Sequence, residues 1–143
     1  MPMLSPLEIK VGVAFVADTT KRAYDETHTA QALSFNGISE HNITFKYIPG
    51  NNHIVLGVLF FAEYTDVDCV IVVSRGVLDD VTRKSLYELQ IQWNMPVAVA
   101  AQGDDVWRAA QEAVEMVQLQ SDMATDAPNE RMASIPPRKD SIN

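Results

Sequence analysis

The strongest constraint on this chain is an alternation of two periodicities. Four short apolar segments rich in β-branched residues, Lys10 to Ala17, Ile43 to Ile48, Cys69 to Val73 and Pro96 to Ala101, read as strands. Between them, and after the last, apolar residues recur at helical spacing. The order βαβαβαβα predicts a parallel sheet with helices on both faces and right-handed crossovers, because parallel strands need long connections and helices supply them. Cys69 to Val73 is the sharpest of the four. It is apolar without alternation and bounded by Asp66, Asp68 and Ser74, the pattern of a central strand covered on both faces.

Stop and start residues divide the chain further. Asp18, Thr19 and Thr20 can cap a first helix that carries Ala23, Thr27, Ala30 and Leu33 on one face and stops at Asn36-Gly37. Pro49-Gly50 ends the second strand, and a helix from about Asn52 to Tyr64 follows. Asp79 or Asp80 caps a third helix facing inward through Leu86, Leu89 and Trp93. Gly103-Asp104-Asp105 opens a fourth, with Val106, Ala110, Ala113, Val114 and Val117 as its stripe. Past about Ser121 the pattern is lost among Pro128, Pro136, Pro137 and mixed charges. One domain over residues 1–120 and a flexible tail over 121–143 are expected.

The second helix is unusual. Ile54, Val55, Leu56, Val58, Leu59, Phe60 and Phe61 cover most of its circumference. A helix apolar all round is a helix buried all round, which one outer position on a four-stranded sheet does not provide. Either a neighbouring loop or the tail covers the excess, or another subunit does; a subunit interface is the expectation adopted here.

Composition narrows the function classes. With 143 residues the chain can bury a proper core, and its formal charge of −8 disfavours general binding to nucleic acid or anionic membranes. Met1 to Leu7 has neither a basic nor an apolar signal-peptide region, and the longest apolar run, Ile54 to Ala62, is too short to span a bilayer. The single cysteine, Cys69, permits no internal disulfide and reads as a core thiol. A cytoplasmic location is expected. No metal-ligand spacing, nucleophile elbow or phosphate-binding glycine loop is present.

Lys10-Val11-Gly12-Val13, then Ile48-Pro49-Gly50, then Asp68 to Val73, and finally Ala109 to Val117 together resemble the lumazine synthase family of riboflavin biosynthesis. The first three align with that family's first strand, its Val-Pro-Gly loop and its third strand, without gaps from Lys10 to about Ser85. The last is similar to its closing helix. The resemblance covers about three-quarters of the chain and implies a flavodoxin-like three-layer α/β/α fold. It also implies condensation of a pyrimidine diamine with a four-carbon ketone phosphate to give 6,7-dimethyl-8-ribityllumazine, with no metal or organic cofactor. Family subunits form pentamers, in some cases icosahedral shells, with sites between neighbours. The implied partner is therefore the chain itself, as a homopentamer or larger shell, or an active paralogue.

Carried over residue by residue, the family's site looks eroded. Its stacking aromatic after the first strand is Asp18 here, which has no flat apolar face and suits a helix cap. Its small residue, aromatic and acid after Pro-Gly are Asn51, Asn52 and His53. An imidazole does not reproduce a carboxylate that accepts two donors; His53 is either a polar residue at a helix start or a remaining ligand contact. The glycine-rich turn and threonines that hold phosphate correspond to Ser74 through Thr82, where Asp79 and Asp80 repel an anion and Thr82 remains. Arg83 falls at the proton-transfer histidine, and a guanidinium is a poor general base at neutral pH. It is read as a surface ion pair with Asp79 or Asp80, or as an anion contact. The family's phosphate-binding arginine and lysine have no counterpart in Gln102 to Asp105, with Arg108 the nearest cation.

Three functions follow as expectations. The first is an oligomeric assembly or scaffold protein with an eroded site and little or no synthase activity. The second is a working lumazine synthase with substituted residues, for which proximity would supply much of the rate. The third is a non-catalytic binder of a flavin- or lumazine-like heterocycle through Asn51, Asn52 and His53.

Overall fold

In the computed structural model, the residues described are 5, 8–16, 22–101 and 105–126, without the side chains of 22–24 and 126. Strands β1 (Val11–Val16), β2 (Ile43–Ile48), β3 (Cys69–Val73) and β4 (Val97–Ala100) alternate with helices α1 (Arg22–Phe35), α2 (Ile54–Tyr64), α3 (Asp80–Trp93) and α4 (Asp105–Asp126). Short 3-10 turns at Glu40–Asn42 and Asn51–His53 lead into β2 and α2. The strands form one parallel sheet in the order β2-β1-β3-β4. This is the parallel sheet with helices on both faces expected from the alternation, in a flavodoxin-like three-layer α/β/α arrangement.

The order follows from where the apolar side chains fall. β1 is buried at every position and pairs on both edges, Val13 lying between Phe45 of β2 and Ile71 of β3. Its alternate side chains feed two separate cores. Val11, Val13 and Phe15 join Leu33 of α1 and Ala110 and Val114 of α4 in one core. Ala14 and Val16 join Ile54, Val58 and Phe61 of α2 and Leu86 and Leu89 of α3 in the other. Cys69 is fully buried, and desolvation, with a smaller push from the Asp68 charge, raises its thiol pKa well above the ordinary value. It is the core thiol the apolar run implied.

The helix boundaries have local causes. At the end of α1, Ile38 N–H bonds Leu33 O at 3.0 Å and Gly37 N–H bonds Ser34 O at 2.9 Å, with Gly37 at φ 86°. This left-handed cap with a buried apolar residue after it is a Schellman motif. Asp79 caps α3 by accepting from Thr82 N–H at 2.7 Å, so of the two expected candidates Asp79 is the cap. At the far end of α3, Asn94 sits at φ 52°. Helix α4 runs to Asp126, past the expected end near Ser121, although its last buried residue among the described side chains is Val117. The remainder of the expected tail, 127–143, lies outside the described residues.

Helix α2 is not apolar and buried all round. The sheet takes Ile54, Val58, Phe61 and Ala62, while Val55 and Leu59 pack partly against the same core. Leu56 and Phe60 stay about half exposed, at 49% and 47%, and Tyr64 is 76% exposed.

Candidate functional site

In an open parallel sheet, ligands bind outside the carboxyl ends of the strands, where the direction of strand order reverses. Here that point lies between β1 and β3, and the segments bordering it follow β1, β2 and β3. The segment after β1 carries Asp18, which lies outside the described residues.

The segments after β2 and β3 are tied to each other. Asn51 donates its side-chain amide to Arg75 O at 2.8 Å and accepts from Arg75 N–H at 3.2 Å. Both ends of the Asn51 amide are thus committed to the backbone of the neighbouring loop. Ser74 closes the same loop by donating to Gly76 O at 2.7 Å. Replacing Asn51 with Ala would leave two backbone groups of Arg75 without a protein partner. A loss of about 1 kcal/mol in unfolding free energy, with faster amide exchange at Arg75, is the expected outcome.

The remaining expected site residues do not converge. Asn52 and His53 are exposed, and His53 lines a groove on the outer side of β2, away from the Asn51–Arg75 bridge. Thr82 is partly buried, and its N–H is taken by Asp79. Hydrogen bonding from Thr82, its backbone N–H first, holds the Asp79 carboxyl below the usual range. Arg83 makes no ion pair with Asp79 or Asp80; its N–H is in the helix ladder to Asp79 O. Its side chain instead lines a cleft of about 280 Å3 between α3 and α4, with Tyr87, Asp105, Arg108 and Glu112. The acids there balance the two arginines, so the cleft is not a clear anion site. Among the described residues no group of three or more His, Cys, Asp and Glu side chains could hold a metal ion.

The Asp79 cap carries a pH signature. Its pKa is depressed in the folded state, so its stabilisation is fully present above the unfolded carboxylate range, near about 4. It is lost as pH falls through the lower folded value. Asp79→Ala should lower Tm at neutral pH, with the gap to the parent protein closing in acid; thermal unfolding followed across pH 2 to 7 checks this.

Two surfaces were not singled out by sequence reasoning. One is the exposed edge of the sheet at β4. Val70 N–H bonds Pro96 O and Ser74 N–H bonds Ala100 O, so Val97 and Val99 turn their backbone groups outward. Gln90 Oε1 accepts from Val97 N–H at 2.9 Å and Arg108 Nη2 donates to Val99 O at 3.0 Å. Side chains from the flanking helices therefore occupy an edge that would otherwise invite strand pairing. The other surface is the groove beside β2, about 440 Å3, floored by Ile48, Pro49 and Gly57 and walled by Leu56, Phe60 and Tyr64. Lys46 and His53 line it, no acid does, and Lys46 makes no ion pair among the described residues. A sequence signal existed for the groove: Lys46 interrupts the apolar β2 at the phase of the α2-facing residues.

Comparison with known proteins adds the fold and no more. No family model matches the chain, and no curated protein does. Among solved structures, a de novo designed Rossmann fold protein is similar, with a TM-score of 0.50 and 18% identity over 75% of this chain and 99% of that one. The class defined on this footing is an α/β domain with a four-stranded parallel sheet. No described helix is long and apolar enough to cross a membrane.

Proposed function

We propose that this chain is a self-assembling, lumazine-synthase-like subunit with a lapsed condensation site, acting as a scaffold in a homopentamer or larger shell. One observation carries the reading: α2 leaves Leu56, Phe60 and Tyr64 exposed along one face, beside an apolar groove. Their rings and methyls face water in a single copy, and burying each would stabilise an interface by roughly 1 kcal/mol or more. The loop chemistry supports the second half of the proposal. Asn51 and Asp79 are spent on backbone groups, His53 lines the groove beside β2, and Arg83 puts a permanent cation where the resembled family has a base.

Two measurements test it. Sedimentation at micromolar concentration is expected to give a multiple of the 15.9 kDa chain mass; a monomer sinks the assembly reading. Incubation with the pyrimidine diamine and the four-carbon ketone phosphate is expected to yield no lumazine absorbance above the uncatalysed rate. Turnover abolished by Arg83→Ala would make the chain an active synthase instead. Tight lumazine or riboflavin binding without turnover would make it a heterocycle binder.

A further inference from the structure

We infer that the last described turns of α4 in one copy seat in the α2–β2 groove of the next, a head-to-tail contact between two different surfaces of the chain. The inference rests on the assembly reading and names the surface that fills the groove. Past Val117 no described residue of α4 is buried, so about two turns of helix extend beyond the core. Met116, Leu119 and Met123 recur at helical spacing around and beyond Val117 and are 48%, 47% and 64% exposed. They form an apolar ridge that its own chain leaves about half exposed or more, beside the point where Gln120 donates to Asn94 O at 3.1 Å.

Charge matches the ridge to the groove. The chain is strongly acidic, yet the groove presents Lys46 and His53 and no acid. The ridge is flanked by Glu115 and Asp122, and no basic residue lies between Gln111 and Asp126 on α4. Asp122 lies three residues beyond Leu119, placed to meet Lys46 as the apolar side chains enter the groove.

Topology makes the contact intermolecular. Helix α4 packs on β3 and β4, whereas the groove lies on the outer side of β2, at the opposite edge of the sheet and on its other face. A rigid helix end does not reach its own groove. Two unlike patches give a heterologous interface, which closes into a ring when the rotation between copies allows and otherwise extends. At the β4 edge, Gln90 and Arg108 occupy Val97 N–H and Val99 O, which disfavours joining of two sheets there.

Charge reversal in the full-length chain tests this, with mass read by sedimentation and folding by circular dichroism. Lys46→Glu and Asp122→Lys, each at an exposed position, are expected to weaken association by about tenfold or more. The double variant is expected to restore the parent mass. A parent oligomer untouched by either reversal overturns this contact and leaves the assembly reading standing, as does a double variant that fails to recover. A monomeric parent overturns both.

Discussion

A single methyl group added at Gly12 is expected to destabilise the fold by about 2 kcal/mol, and an isopropyl group by more. Gly12 sits in the buried centre of β1, where a Cβ would lie 2.7 Å from both Cδ1 and Cε1 of Phe61 and 3.2 Å from its Cγ. These are ring atoms of a side chain only 4% exposed, so the ring cannot swing away as a flexible chain end would. The missing side chain on β1 is what lets α2 lie close to the sheet. Urea unfolding of Gly12→Ala should show a lower midpoint with an unchanged slope. Phe61→Leu, mildly destabilising alone, should recover part of the loss when combined with Gly12→Ala. Additive effects of the two substitutions would show that the contact is not the cause.

Ile71→Ala is expected to cost about 3 kcal/mol, within the range for emptying a large aliphatic site in a core that relaxes only partly. Ile71 is fully buried in β3, between Val13 of β1 and Ala98 of β4, and belongs to the core under α1 and α4. With a strand on each side, little can move in to fill the space. Calorimetry should show Tm lowered by on the order of 10 °C. A fall of less than 1 kcal/mol would mean that α1 and α4 collapse onto the vacancy, and that this layer is softer than the burial implies.

The legible parts of this protein were those written in local pattern. The unbroken apolar run at Cys69–Val73 became an inner strand because a parallel strand covered by helices on both faces needs no polar alternation. Asn36-Gly37 stopped α1 where expected, since only a residue tolerant of positive φ closes a Schellman motif comfortably. The end of α4 was less legible. A helix already nucleated propagates through Ser121 to Asp126 after the buried stripe has ended at Val117, and apolar periodicity tracks burial rather than backbone.

The candidate site was harder to read for a different reason. Asn51, Asn52 and His53 are adjacent in sequence, yet Asn51 turns to the β3 loop and His53 to the outer groove. Neighbours on one turn share a location without sharing a direction. Arg83 was expected beside Asp79 or Asp80, but the Asp79 carboxylate takes the amide of Thr82 and the arginine lines the cleft beside β4. A helix cap is a local bond made with little loss of freedom, whereas an exposed ion pair must order two long or mobile side chains for a small return.

By itself the sequence determined the element order, the parallel sheet and the two-faced core, because hydrophobic period and turn chemistry are local properties of the chain. It also marked α2 as carrying more apolar surface than one sheet can cover. Only the tertiary structure decided which part of that surface stays exposed, that the β4 edge is occupied by Gln90 and Arg108, and that Lys46 stands beside the β2 groove without an ion pair among the described residues. Those facts depend on which residues distant in sequence are brought side by side, and spacing along the chain does not encode that.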